Sequence, residues 1–136
     1  VDLSACGDRA LAMAKEISTL FGATIEIVHA VDVDAQSAPL SALVPPVQLR
    51  FDEILESRKA GLNKRMSDLG IAGANLHIEF GRPDRVINEV TKKVGADFVV
   101  MGTHGRSGFS RFFLGSTAER VLRATVVPTL VVSAPE

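Results

Sequence analysis

A single cysteine, Cys6, in 136 residues leaves no partner for an intramolecular disulfide. Long apolar runs are missing too, since none approaches the roughly 18 residues expected of a membrane span. Neither sign of charge dominates: 15 Lys and Arg against 16 Asp and Glu give a net charge of −1. That lacks the basic excess of a general nucleic-acid binder. No signal-peptide pattern, repeat or low-complexity segment is visible, and the chain opens on Val1-Asp2 rather than on methionine. These absences set aside membrane, disulfide-scaffold and general nucleic-acid-binding classes, and they make the cytoplasm the expected compartment.

What is present describes a globular chain. Hydrophobic residues make up 46% and charged residues 23%, and the length suits one domain over residues 1–136. Ala10, Ala14, Ile17 and Phe21 recur at helical spacing, with Gly22 as a left-handed stop. Residues 24–31 (TIEIVHAV) are rich in β-branched residues and read as a strand. Residues 32–46 lose periodicity and hold Pro39, Pro45 and Pro46, which predicts a long loop. A second helical stripe runs from Val47 to Leu69, interrupted by Gly61 and stopped by Gly70. Leu76, Ile78 and Phe80 then alternate as a half-buried strand.

Pro83 suits the first position of a third helix faced by Val86, Ile87, Val90 and Val94, and Gly95 ends it. Phe98 to Met101 is apolar throughout, as expected of a strand covered on both faces. Ser116-Thr117-Ala118-Glu119 matches a capping box, with Ser116 as the N-cap of a fourth helix. Pro128 breaks that helix before a last strand at Thr129 to Ser133. Alternating helices and strands predict an α/β fold with a parallel sheet and helices on both faces. Val1-Asp2 reads as the tail of a first strand whose body precedes the given residues.

The stretch Met101-Gly102-Thr103-His104-Gly105, followed by Gly115-Ser116-Thr117, carries the functional signal. It is a glycine-punctuated connection from a buried strand to a helix start, where open α/β sheets hold phosphorylated ligands. Backbone N–H groups and the helix N-terminus attract anions, and glycines allow close approach. From Gly102 to Ala118 there is no Asp or Glu, whereas Arg106 and Arg111 are both present. The same glycines could serve a tight connection without any ligand. His29 and His77 read as packing or surface residues, and Cys6 as a small residue near a helix start.

Gly102, two residues, Gly105, nine residues, Gly115 and Ser116 together resemble the ATP-binding signature of the universal stress protein family. Val1-Asp2-Leu3-Ser4, His29-Ala30-Val31-Asp32, Gly81-Arg82-Pro83 and Val127-Pro128-Thr129-Leu130-Val131-Val132 match further family motifs in order. The resemblance implies an open five-stranded parallel sheet in the order 3-2-1-4-5, counting a strand ahead of Val1 as the first. That order implies that Asp2 and Gly102 sit together at the carboxyl edge of the sheet, and the resemblance implies that Asp2 and Ala30 contact adenine. Gly102, Thr103, Gly105, Gly115, Ser116 and Thr117 would contact ribose and phosphates, with His104 on the phosphate side and Arg106 neutralising charge. The implied ligand is ATP, with Mg²⁺ held through the phosphates. The implied assembly is a homodimer through Thr129 to Ser133, and an unidentified protein partner would read the ordered loop.

Equipment for hydrolysis is sparse. There is no Gly-x-x-x-x-Gly-Lys-Ser/Thr sequence, so no P-loop lysine, and no carboxylate in the loop to hold Mg²⁺ or orient water. His104 is the one candidate base. The leading expectation is a stress-response regulatory module that binds ATP with slow or no turnover. The alternatives are a dimeric interaction module without nucleotide and a slow ATPase.

Overall fold

The computed structural model describes residues 1–32, 47–103 and 114–133. Helices and strands alternate: α1 (Ala5–Phe21), β1 (Glu26–Val31), α2 (Val47–Asp68), β2 (Asn75–Phe80), α3 (Pro83–Val94), β3 (Val99–Gly102), α4 (Ser116–Ala124) and β4 (Thr129–Val132). The helix stops lie where the sequence predicts them. Gly22 and Gly95 end α1 and α3 at φ 65° and 64°, the left-handed conformation that side chains with a Cβ disfavour. Pro83 opens α3, where its missing N–H costs no helical bond. α2 runs unbroken through Gly61, which faces the side chain of Leu3.

All strand pairs are parallel, but they form two half-sheets. β1 pairs with β2 in the register Glu26 to Asn75 through Val31 to Phe80. β3 pairs with β4 from Val99 opposite Thr129 to Gly102 opposite Val132. The five-strand order is therefore not present among the described residues. Leu11 of α1, Ile27 of β1, Met66 of α2 and Ile71 form one buried cluster. α3 packs against β1 and α4, burying Val86 and Val90, while α1 packs against β3.

Hydrogen bonding shows which edges face each other. Gly81 N–H donates to Val31 O on the β2 side of β1. Backbone groups of successive strand residues point to opposite edges, so those of Glu26, Val28 and Ala30 face away from β2. In the same way, Val99 N–H donates to Pro128 O and Thr103 N–H to Val132 O. The backbone groups of Val100 and Gly102 thus face away from β4. Between the half-sheets lies a cavity of about 270 Å³, walled by β1, β3, α1 and α3. Val1 sits on its border, where its nitrogen donates to Val28 O at 2.5 Å.

Candidate functional site

α1 begins with a serine cap. Ser4 is extended (φ −106°, ψ 166°), and its Oγ accepts from Gly7 N–H at 3.2 Å, satisfying one of the open donors of the first turn. Asp2 folds back onto the same turn. Its Oδ1 accepts from Ser4 N–H at 3.2 Å and from the Ser4 hydroxyl. A Cβ on Gly7 would lie 2.3 Å from Asp2 O and 2.9 Å from Asp2 Oδ1, so only glycine lets Asp2 rest there. Arg65 of α2 fastens the turn from outside, pairing with Asp8 and donating from Nη2 to Leu3 O at 3.1 Å.

The end of β3 meets the same turn. A Cβ on Gly102 would fall 2.7 Å from Cys6 Cβ and 3.2 Å from the Cys6 carbonyl atoms. Cys6 is buried, and its Sγ lies 3.9 Å from Thr103 Oγ1, a weak sulfur–hydroxyl contact. Cys6 and Gly7 are adjacent, so Asp2 and Gly102 converge on one turn of helix. Ala30 lies near the end of β1 with its backbone turned away from β2, as that of Gly102 is turned away from β4.

From Gly102 the chain leads toward α4. Gly115 N–H donates to Thr103 O at 2.8 Å, so the two ends of the intervening segment meet. One expectation is corrected at this point. The N-cap is Gly115 (φ −62°, ψ 149°), whose carbonyl accepts the first helical bond from Glu119 N–H at 2.9 Å. Ser116 is already helical and its hydroxyl does not cap. Glu119 does not reach back to close a box, because it is bound to Arg123 at 2.9 Å, one turn on. With glycine as cap, the N–H groups of Ser116, Thr117 and Ala118 find no acceptor among the described residues.

Asp2, Ala30, Gly102, Thr103, Gly115, Ser116 and Thr117 all lie within the described residues. His104, Gly105, Arg106 and Arg111 lie outside them. Ser4, noted in sequence only as part of a family motif, Cys6, noted only as a small residue, and Gly7 join the site from α1. Ser4 three residues before Gly7 is an N-cap spacing, and it is the one signal that could have drawn attention to this turn. Among the described residues no group of three His, Cys, Asp or Glu is gathered as a metal site.

Two titrating groups lie along β1. His29 is buried, and burial holds its imidazole below the ordinary range. Its Nδ1–H donates to Val1 O at 2.8 Å, which opposes that shift in part. At the other end of β1, Glu26 is held below the usual carboxylate range by hydrogen bonds from His77 and Asn75.

With this geometry in view, the likeness to known proteins is direct. A universal stress protein A homologue of Coxiella burnetii is 31% identical over 119 residues, 88% of this chain and 80% of that protein. A universal stress protein of Methanocaldococcus jannaschii is 44% identical over 66 residues, which span 47% of this chain and only 39% of that relative. A crystal structure of a universal stress protein in complex with cAMP superposes with a TM-score of 0.65 at 23% identity, covering 99% of this chain and 93% of the other. At that identity the likeness is one of fold. No helix among the described residues is long and apolar enough to cross a membrane. The sequence profile of the universal stress protein family matches residues 1–133, and with parallel strands, intervening helices and the glycine junction after β3 all in their places, the chain belongs to that family.

Proposed function

We propose that the chain is a single-domain regulatory module, working in the cytoplasm, that binds an adenine nucleotide with ATP as the leading ligand. The observation that carries this reading is the joint of Thr103 and Gly115. It brings Gly102 and the uncapped start of α4 to the two ends of one short segment. The N–H groups of Ser116, Thr117 and Ala118, without an acceptor among the described residues, and the positive end of the helix dipole close a sequence stretch, 102 to 118, that holds no Asp or Glu. In this reading Gly102, Thr103, Gly105, Gly115, Ser116 and Thr117 cradle ribose and phosphates, with His104 and Arg106 beside them. Asp2 and Ala30 border the base. The cAMP complex of a protein of the same fold adds a precedent for an adenine nucleotide, taken from that protein alone.

Mg²⁺, in this reading, is carried by phosphates and water rather than by a protein site. Bound ATP would supply negative charge to the open amides, and its bonds would be left intact for want of a carboxylate in the loop. Ligand that binds only the folded state stabilises it by about 2.7 kcal/mol at a hundredfold excess over Kd. Regulation then means ordering of a surface that a protein partner reads.

Two architectural proposals accompany this one. The first is the five-strand order, with an extended segment filling the cavity between β1 and β3. It is supported by the backbone groups of Glu26, Val28 and Ala30, which point away from β2, by those of Val100 and Gly102, which point away from β4, and by the Val1 nitrogen already donating to Val28 O on that side of β1. The second is a homodimer through the free edge of β4, where Leu130 is 40% exposed.

The test of the nucleotide reading is to denature purified protein and identify the released small molecules by mass spectrometry. Adenine nucleotide recovered near one per chain supports it. A protein that carries none and takes up no added ATP fits the nucleotide-free dimeric module instead.

A further inference from the structure

Ser4 has every polar group engaged. Its hydroxyl oxygen accepts from Gly7 N–H, its carbonyl accepts from Asp8 N–H at 3.0 Å, and its N–H donates to Asp2 Oδ1. One proton remains, on Oγ, and it goes to the same Asp2 Oδ1. The helix start asks Ser4 only for an acceptor, so this second bond is not needed for capping. Gly7 backs the arrangement by leaving room for the carboxylate against α1. Asp2 Oδ1 is thus held by two donors, while Oδ2 accepts no hydrogen bond among the described residues.

Building on the nucleotide reading above, we propose that Ser4 is a positioning residue that pins the Asp2 carboxylate, so that its free oxygen selects a 6-aminopurine over a 6-oxopurine. An ionised carboxylate only accepts hydrogen bonds. Adenine offers N–H donors at its 6-amino group. Hypoxanthine carries an acceptor oxygen there and moves its donor to N1. A carboxylate free to swing serves either base by following the donor. One tied at Oδ1 to a helix cap cannot follow, and the 6-oxo group then meets a like partner. Selectivity, not affinity alone, is the signature of the tether.

The experiment is calorimetric titration of the chain with ATP and with inosine triphosphate. The parent is expected to favour ATP by about tenfold or more, since a site built to accept an N–H discriminates against a ligand lacking it. Ser4→Asp and Ser4→Gly both suit a helix N-cap, yet neither donates a side-chain proton to Asp2. Both are expected to bring the ATP-to-inosine ratio severalfold toward one, with the helical circular dichroism unchanged. Ser4→Thr restores the hydroxyl and should restore the ratio.

A parental ratio in a folded Ser4→Asp or Ser4→Gly protein overturns the proposal, as does a ratio lost in Ser4→Thr. A parent that binds both nucleotides equally overturns it while nucleotide binding stands. A parent that binds neither removes the nucleotide reading and this inference with it.

Discussion

A methyl group on Gly102 would lie 2.7 Å from Cys6 Cβ, closer than packed carbon atoms come. The glycine therefore has a packing role in α1–β3 contact besides any role toward a ligand. Gly102→Ala should cost about 1–3 kcal/mol, the usual range for overpacking, measured by urea unfolding. Because the clash is with a Cβ, Cys6→Gly in the Gly102→Ala background should recover part of that loss. Cys6→Ala should recover none of it. His29 makes a separate prediction. Burial lowers its folded-state pKa below the ordinary 6.5, so the unfolded chain takes up the proton first as pH falls. Stability should be fully present above about pH 6.5 and decline below it. Unfolding midpoints for His29→Gln against the parent, at pH 5.5 and 7.5 or thereabouts, isolate the histidine share. An unchanged slope would remove His29 from the account.

Between elements, the two helix starts at the site make a contrast that capping explains. α1 is capped by the Ser4 side chain, whereas α4 begins at Gly115 with no side-chain cap. Ser4→Ala should therefore cost about 0.5–2 kcal/mol, and Ser116→Ala should stay within about 0.5 kcal/mol. Thermal melts of both variants check this. If Ser116→Ala holds its stability, any loss of nucleotide affinity in that variant reports on ligand contact directly. The spacing Ser116 to Glu119 satisfies the capping-box pattern, but a pattern of residue types cannot say which residue is extended. Gly115 is extended because Thr103 O holds its N–H, and Arg123 engages Glu119. Both partners come from the fold or from the next turn.

For the molecule as a unit, the split sheet has consequences at both of its free borders. Val132 O accepts from Thr103 N–H, so by alternation the backbone of Val131 points away from β3. Val131→Pro removes only an outward N–H, leaves β3–β4 pairing intact and should give monomers by size-exclusion chromatography and light scattering. A surviving dimer would mean that another surface is used. At the inner border, an extended apolar segment joined ahead of Val1 should raise the melting temperature by roughly 3–5 °C per kcal/mol gained. It would bury apolar surface in the cavity between β1 and β3. No rise in Tm would count against the five-strand order.

The sequence by itself determined the elements and their ends. Apolar periodicity set α1 and α3, Gly22 and Gly95 set their stops, and Pro83 set the start of α3, because these choices rest on local backbone preference. It also determined the family, through glycines and strand ends spaced along nearly the whole chain. Five strand boundaries moved by one or two residues once pairing partners were present, since a strand ends where its ladder ends. The resemblance implied that Asp2 and Gly102, a hundred residues apart, sit together, but only the tertiary structure decided that they meet across one turn of α1. That turn depends on Gly7 and Cys6, residues whose importance is the absence of a side chain in one case and a close neighbour in the other. Close approach between distant segments leaves no periodic trace in a sequence, because it is set by how packed elements exclude one another's volume.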